Sequence, residues 1–186
     1  MRKLIAYNFV TINGIYNGPD EDISWHNHKE EELKYSEDML ALNHILLFGR
    51  KTYEQMAGFW PTKVAKETMP AVAEGMNKAE KIVFSNRDFN GKLWENTHIM
   101  SGDIAKKIKK LKQLPGKDMA LLGSGSIISL FTDHNLIDEF QIMVDPVAIG
   151  EGDLIFRGIK KTLLLELLNV KVFSSGAVLL NYKQKL

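Results

Sequence analysis

Three short turns rich in glycine, serine and basic residues have the composition of phosphate-binding turns, and each directly follows a run of apolar residues. The turns comprise Gly49, Arg50, Lys51 and Thr52; Ser85, Asn86 and Arg87; and Gly123, Ser124, Gly125 and Ser126. A short apolar run bounded by turn residues is typical of a buried strand, and ligands of open α/β sheets lie at the carboxyl ends of such strands. The three turns therefore predict one site for an extended phosphate-bearing ligand, a dinucleotide.

The first turn offers positive charge at the start of a helix. Arg50 and Lys51 follow the predicted strand and open a helix, whose first free N–H groups and positive dipole end favour an anion. A guanidinium and the Thr52 hydroxyl would strengthen that site, since a hydrogen bond to a charged group contributes ~1.5–3 kcal/mol. The alternative is a solvated basic pair beside a helix start, with Thr52 as its cap.

The second turn carries a further basic residue, Arg87. Taken alone, Ser85 and Asn86 suit an ordinary turn. Arg50 and Arg87 would, however, lie on neighbouring strand ends, where two cations repel each other unless an anion lies between them. The 2′-phosphate of NADP is such an anion, so the sequence favours NADPH over NADH as the cofactor.

The third turn supplies backbone donors rather than charge. It is not the G-x-G-x-x-G fingerprint of dinucleotide-binding units, because Ile128 occupies the place of the third glycine and the turn lies far from the N-terminal unit. A flexible start of a helix is the alternative interpretation. The backbone N–H groups of Ser124, Gly125 and Ser126 are the predicted donors.

Strand and helix patterns alternate along most of the chain, and this alternation positions the three turns. Predicted strands cover residues 3–10, 45–48, 81–85, 97–100 and 118–122, and predicted helices cover 30–42, 52–56, 63–77, 104–111 and 126–133, with a break at Pro70. Residues 139–149, 163–173 and 178–183 are strand-like, with a hairpin turn at 174–176. This order predicts a single α/β domain over residues 1–186, with three layers, a mixed and mostly parallel central sheet and an antiparallel C-terminal section.

Composition argues against several other classes of protein. The net charge of +1 gives no field that would attract nucleic acid or an acidic membrane. No cysteine is present to bind zinc, and the five histidines show no metal-ligand spacing, with His26 and His28 two positions apart. No segment approaches the ~20 apolar residues of a membrane span, and the N-terminus has no cleavage-like segment. We therefore expect a small-molecule partner, no metal and a cytoplasmic location.

The ordered set of motifs resembles the dihydrofolate reductase fold family over essentially the whole chain. The resemblance rests on Gly49-Arg50-Lys51-Thr52-Tyr53-Glu54, on Ser85-Asn86-Arg87 and on the glycine-rich turn that opens a helix after a third strand. The closest branch resembles the C-terminal reductase domain of the bifunctional riboflavin-biosynthesis deaminase/reductase. Its markers are Thr11-Ile12-Asn13-Gly14 before Gly18-Pro19, Tyr53 through Trp60-Pro61, Met76-Asn77 before Lys81, Trp94 with Asn96, and residues 145–156.

For the cofactor, the resemblance implies NADPH. Its 2′-phosphate and diphosphate would lie at the first turn, and its diphosphate and nicotinamide would lie against the third. Dihydrofolate reductases have a strained Gly-Gly peptide in this third turn, whereas the second position here is Ser124. A cis bond before a residue other than proline costs ~3–4 kcal/mol and a side chain constrains the turn further, so it stays open whether the strain carries over.

For the substrate, the resemblance implies a carboxylate on the first helix that helps to protonate it. The spacing from Trp25 points to Glu30, and the alternative is an acidic residue placed for the helix dipole and solvent. Asn13, Trp25 and Trp60 are the candidates for contacting the substrate. Their alternatives are a tight turn at Asn13-Gly14 and core or lid packing of the two tryptophans.

Together these residues favour an NADPH-dependent reductase that transfers hydride to a C=N or C=O carbon of a small heterocycle. The resemblance makes a ribosylaminopyrimidine of riboflavin biosynthesis the first substrate class and dihydrofolate the second. A catalytically silent NADP-binding module is a third hypothesis. As in relatives, we expect the strand-rich C-terminal third to supply a homodimer interface.

Overall fold

Helices cover both faces of one central sheet in the computed structural model, which describes residues 1–26, 29–89 and 92–185. The strands are β1 (Leu4–Thr11), β2 (Ile15–Asn17), β3 (Ile45–Gly49), β4 (Lys81–Phe84), β5 (Thr97–Met100), β6 (Met119–Leu122), β7 (Glu139–Asp145), β8 (Asp153–Leu154), β9 (Leu165–Val172) and β10 (Val178–Gln184). The helices are α1 (Glu30–Ala41), α2 (Arg50–Phe59), α3 (Lys63–Thr68), α4 (Pro70–Lys78), α5 (Ile104–Gln113) and α6 (Gly125–Asp133). The prediction of no metal site was based partly on the spacing of His26 and His28. His28 lies outside the described residues.

Within the described residues, the main sheet has eight strands in the order β5-β4-β3-β6-β1-β7-β10-β9. The strands from β5 to β7 are parallel, whereas β10 pairs antiparallel with both β7 and β9. The predicted fold class, a mostly parallel sheet with an antiparallel C-terminal section, is confirmed. Because β4, β3 and β6 are neighbours, the turns that follow them lie at the same edge of the sheet.

Apolar side chains form the core on both faces of the sheet. One cluster includes Ile108 of α5 and Phe131 of α6, packed against strand residues such as Leu47. The cluster on the other face includes Phe48 of β3 and Val72 of α4. None of the helices in the described part of the chain is both long and apolar enough to cross a membrane.

The element boundaries differ from the prediction in a few places. The predicted break at Pro70 is confirmed, because α3 ends at Thr68 and Pro70 is the first residue of α4, where its missing N–H has no cost. Helix α2 begins at Arg50, two residues earlier than predicted. Strand β7 ends at Asp145 rather than 149, where Pro146 cannot donate to a ladder. The short pair β2 and β8 was not predicted, since two or three residues carry little periodicity.

His44, just before β3, makes the stability of the fold dependent on pH. Its side chain is buried, its Nδ1 has no hydrogen-bond partner among the described residues, and burial lowers its pKa. As the pH falls through the ordinary value of ~6.5, the unfolded chain binds a proton that the folded chain does not, so stability decreases. We expect the free energy of unfolding of His44→Leu, measured in urea, to fall less between neutral and mildly acidic pH than that of the wild type. An equal fall would contradict this.

Candidate functional site

The first and third predicted turns are joined through the hydroxyl of Ser124. The backbone N–H of Gly49 donates to Ser124 Oγ at 2.8 Å. The same hydroxyl lies 3.1 Å from Thr52 Oγ1 and 3.1 Å from the carbonyl oxygen of Leu122. A Cβ at Gly49 would lie 3.2 Å from Ser124 Oγ, so the close approach of the two turns favours glycine there.

Arg50 joins the first turn to the second. Its Nη1 donates to Ser85 Oγ at 3.3 Å and to the carbonyl oxygens of Arg87 and Asp88, both at 3.1 Å. Its Nε donates to Glu54 Oε1 at 2.8 Å. The structure therefore brings all three predicted turns together, and the loop after β4 fixes the position of the Arg50 guanidinium.

The other charged and polar side chains of these turns have different surroundings. Lys51 is exposed and its Nζ lies 3.2 Å from Glu21 Oε1. Asn86 accepts a hydrogen bond from the Gly102 N–H at 2.7 Å through Oδ1, so this side chain helps to hold its own loop. The side chain of Arg87 is exposed and makes no hydrogen bond or ion pair with a described residue. Arg87 is thus the side chain best able to bind an anion beside Arg50.

The third turn brings the backbone close to its neighbours. Gly123 and Ser124 both have left-handed backbone angles, with φ values of 56° and 66°, and the described residues contain no cis peptide bond. A Cβ at Gly123 would lie 2.9 Å from Thr52 Cγ2, and one at Gly125 would lie 2.7 Å from the Tyr16 ring. Helix α6 begins at Gly125, so its first N–H groups lie in this narrow turn, with Ser126 exposed beside them.

Ser124 combines an unfavourable backbone angle with a useful hydroxyl, and two substitutions separate these effects. Ser124→Ala keeps the left-handed strain and leaves the Gly49 N–H without its acceptor, which is expected to cost about 1–3 kcal/mol. Ser124→Gly loses the same hydrogen bond but relieves about 1 kcal/mol of strain. We therefore expect the alanine variant to be the less stable of the two in urea denaturation. The reverse order would contradict the backbone strain at Ser124, and an alanine variant as stable as the wild type would contradict the role of the hydroxyl.

A cavity of about 710 Å³ lies next to these turns. Thr52 and Gly123 line it, and so do Trp25 and Trp60, two of the residues predicted to contact the substrate. Most of the remaining wall is apolar and includes Leu33, Met39, Leu40, Leu46, Met56, Met69, Val72, Met76 and Leu122. A cavity of this size and character is typical of a small-molecule site, and here it shares walls with the predicted cofactor turns.

Asn13 and Glu30, the other two predicted residues, do not line this cavity. Asn13 accepts a hydrogen bond from the Thr11 hydroxyl at 2.7 Å and donates to the Ile149 carbonyl oxygen at 2.8 Å, contacts that match the tight-turn alternative. Glu30 is exposed at the first residue of α1. The structure does not bring either side chain together with Trp25 and Trp60, and their roles stay predictions.

A buried histidine and aspartate near the cavity were missed by the sequence interpretation. His26 Nδ1 lies 2.8 Å from Asp145 Oδ2, and both side chains are at most 3% exposed. The His26 ring stacks on Phe9 with ring centroids 3.6 Å apart, and both rings belong to the cavity wall. The two partners are 119 positions apart in sequence, so no local pattern connects them. The available signals were that His26 follows Trp25 and that Asp145 is the first residue of the family marker at 145–156.

Residues 2–179 match the model of the RibD C-terminal domain, so the chain belongs to this family. It is 28% identical over 181 residues to the uncharacterized protein YyaP of Bacillus subtilis (strain 168), covering 97% of this chain and 94% of that one. The fold is similar to a candidate riboflavin biosynthesis protein from Shewanella sp. PV-4, with a TM-score of 0.75, 18% identity and 99% of each chain covered.

A second solved structure with this fold is a diaminohydroxyphosphoribosylaminopyrimidine deaminase/5-amino-6-(5-phosphoribosylamino)uracil reductase from Thermotoga maritima. The TM-score is 0.73 and the identity 16%, over 99% of this chain and 57% of that protein. The predicted resemblance to the reductase half of such bifunctional proteins is confirmed at the level of family and fold.

Proposed function

We propose that this protein is an NADPH-dependent reductase of a small planar heterocycle. The observation that carries the proposal is the junction of three strand-end turns, which joins the guanidinium of Arg50 to the start of α6 and contributes Thr52 and Gly123 to the wall of the cavity. Membership of the RibD C-terminal domain family supports the same reaction class.

The residues at this junction fit a phosphorylated dinucleotide. Arg50 and Arg87 would hold the 2′-phosphate, and the N–H groups of Ser124, Gly125 and Ser126 would hold the diphosphate. Gly123 lets the backbone approach Thr52 closely at the cavity wall, because a Cβ at this position would lie 2.9 Å from Thr52 Cγ2. Bound NADPH supplies the hydride.

The protein contributes to the reaction chiefly by orienting the substrate and by excluding water from the reacting atoms. Trp25 and Trp60 would orient a flat substrate, and the apolar wall keeps water from the reacting atoms. Reduction also requires one proton at the substrate heteroatom. Glu30 is the predicted donor from family spacing, and His26, a titratable residue of the cavity wall, is the second candidate. Loss of the donor should lower kcat and remove one limb of its pH profile, so Glu30→Gln and His26→Gln distinguish the two.

Equilibrium binding tests the cofactor assignment. We expect NADPH to bind at least about 10-fold more tightly than NADH, since one hydrogen-bonded charge contributes ~1.5–3 kcal/mol. Arg87→Ala should reduce this preference, while Lys106→Ala, which removes an exposed cation on α5, should leave it unchanged. Equal affinities of the wild type for the two cofactors would contradict the assignment of Arg50 and Arg87.

Turnover separates the candidate functions. NADPH oxidation would be measured with a ribosylaminopyrimidine, the class that the Thermotoga maritima reductase is named for, and with dihydrofolate. NADPH oxidation in the presence of either compound supports a reductase, and the relative rates rank the two substrate classes. Tight NADPH binding without any turnover would favour the silent NADP-binding module.

We also propose that two copies pair through β9. This strand forms one edge of the sheet and exposes a row of apolar side chains, with Leu168 47%, Val170 43% and Val172 69% exposed. An unpaired apolar edge of this kind usually contacts another chain. Light scattering should show a dimer for the wild type and a monomer for a variant with both Val170→Asp and Val172→Asp. A monomeric wild type would contradict the dimer, and a dimeric variant would contradict this interface.

A further inference from the structure

Acidic groups, but no lysine or arginine, belong to the described wall of the cavity. Glu21 and Asp22 line it together with His26 and the phenols of Tyr7 and Tyr16. Proteins bind phosphate groups with guanidinium or ammonium groups or with free helix N-termini. An anionic group on the substrate would therefore find no cation in this wall to bind it.

Neighbouring cations and helix starts do not change this balance. The ammonium of Lys51 lies 3.2 Å from Glu21, so these two charges offset each other and Asp22 remains as the uncompensated carboxylate of the wall. Helix α1, which supplies part of the wall, has glutamates at positions 30, 31 and 32 in its first turn, so its positive end already faces negative charge. The starts of α2 and α6 belong to the proposed cofactor site.

The remainder of the wall suits a flat and largely apolar molecule. Four of the eight methionines in the chain line the cavity, at positions 39, 56, 69 and 76. Methionine is unbranched and polarizable, so it adapts to irregular shapes and makes favourable contacts with aromatic rings. Phe9, Trp25, Phe59 and Trp60 add aromatic surface on which a planar ring could stack.

We infer that the substrate is an uncharged, unphosphorylated planar heterocycle. The inference rests on the proposed reductase function and deepens it. In the reaction, the hydride of NADPH carries two electrons to the carbon of a C=N or C=O bond, and a proton from water or a protonated side chain joins the heteroatom. The products are NADP⁺ and the corresponding amine or alcohol.

Matched ligand pairs that differ only by a phosphate test this inference. The probes are riboflavin with its 5′-phosphate, and 5-amino-6-(ribosylamino)uracil with its 5′-phosphate, titrated against the NADP⁺-saturated protein by tryptophan fluorescence. We expect the unphosphorylated member of each pair to bind at least about 10-fold more tightly, a difference of ~1.4 kcal/mol. Asp22→Asn should reduce the difference in affinity between the two members of each pair. Asp38→Asn, which changes an exposed acid of α1 away from the wall, should leave this difference unchanged.

The outcomes separate this inference from the function on which it rests. Binding of NADPH together with equal or tighter binding of the phosphorylated members would overturn the substrate class and leave the reductase proposal intact. Failure of all four compounds to bind would also overturn the substrate class. Failure of NADPH itself to bind would overturn the proposed function.

Discussion

Arg50→Ala is expected to raise the Kd for NADPH by about 100-fold, equivalent to ~2.7 kcal/mol, while raising the Kd for NADH far less. The guanidinium lies where the loop after β4 meets the start of α2, and it bonds to Ser85 and to two backbone carbonyl oxygens of that loop. A 2′-phosphate would receive charge-assisted hydrogen bonds from this group, and NADH has no such phosphate. Titration of both cofactors by fluorescence or calorimetry measures the two constants.

Arg50 also has a structural role. Comparing the Kd values for NADPH and NADH separates this structural role from phosphate binding. Its guanidinium carbon lies 4.4 Å from the centre of the Phe89 ring, so its loss loosens the loop as well as removing charge. A purely structural role would weaken NADPH and NADH equally, and that result would refute the phosphate contact. Arg50→Lys is the matched control, because it keeps the charge but loses the planar guanidinium and should fall between wild type and alanine.

Local composition was sufficient to predict the three turns and the fold, for a clear physical reason. A buried strand must be followed by a turn. In residues 45–52 and 119–126 the composition changes from apolar to turn-forming within a few positions. Parallel order then places the turns at one edge without any further information. The same composition does not distinguish Arg50, which bonds to the neighbouring loop, from Lys51, which pairs with Glu21.

Contacts between distant segments are what the sequence could not predict. The hydrogen bond from Gly49 to Ser124 spans 75 positions and the His26 contact with Asp145 spans 119. The spacing from Trp25 predicted Glu30, which is exposed in the fold. Helical spacing indicates on which face of the helix a residue lies, but it does not indicate which other element packs against that face. The substrate side of the site depends on such neighbours, which local spacing does not specify.

Some markers of the family turn out to form a structural network rather than the site. Trp94 Nε1 donates to Asn77 Oδ1 at 2.7 Å, and Asn77 Nδ2 donates to the Trp60 carbonyl oxygen at 2.9 Å. Asn96 donates to the Lys78 carbonyl oxygen at 3.1 Å. These contacts connect the end of α4 with the segment before β5, so the motifs identify the fold through its packing.

Lys81, at the centre of this network, gives the largest stability effect that we expect. Its side chain is fully buried, and its ammonium donates to the carbonyl oxygens of Asn77, Ala79 and Glu95 at 3.0, 2.7 and 3.0 Å. It also lies 4.3 Å from the centre of the Trp94 ring. Lys81→Met keeps most of the stem but leaves buried acceptors unsatisfied, which should cost about 3 kcal/mol or more of the free energy of unfolding.

Lys78→Met is the control for this prediction, because the Lys78 side chain is 76% exposed and its ammonium pairs with the exposed Glu74. Exposed pairs contribute ~0–1 kcal/mol, so urea denaturation should separate the two variants clearly. Burial lowers the pKa of Lys81 to about 8, below its ordinary value. Above that pH the folded chain has released a proton that the unfolded chain still binds, so the advantage of the wild type over Lys81→Met should grow as the pH rises toward ~10.4. A Lys81→Met protein as stable as Lys78→Met would show that the buried ammonium does not hold this network together.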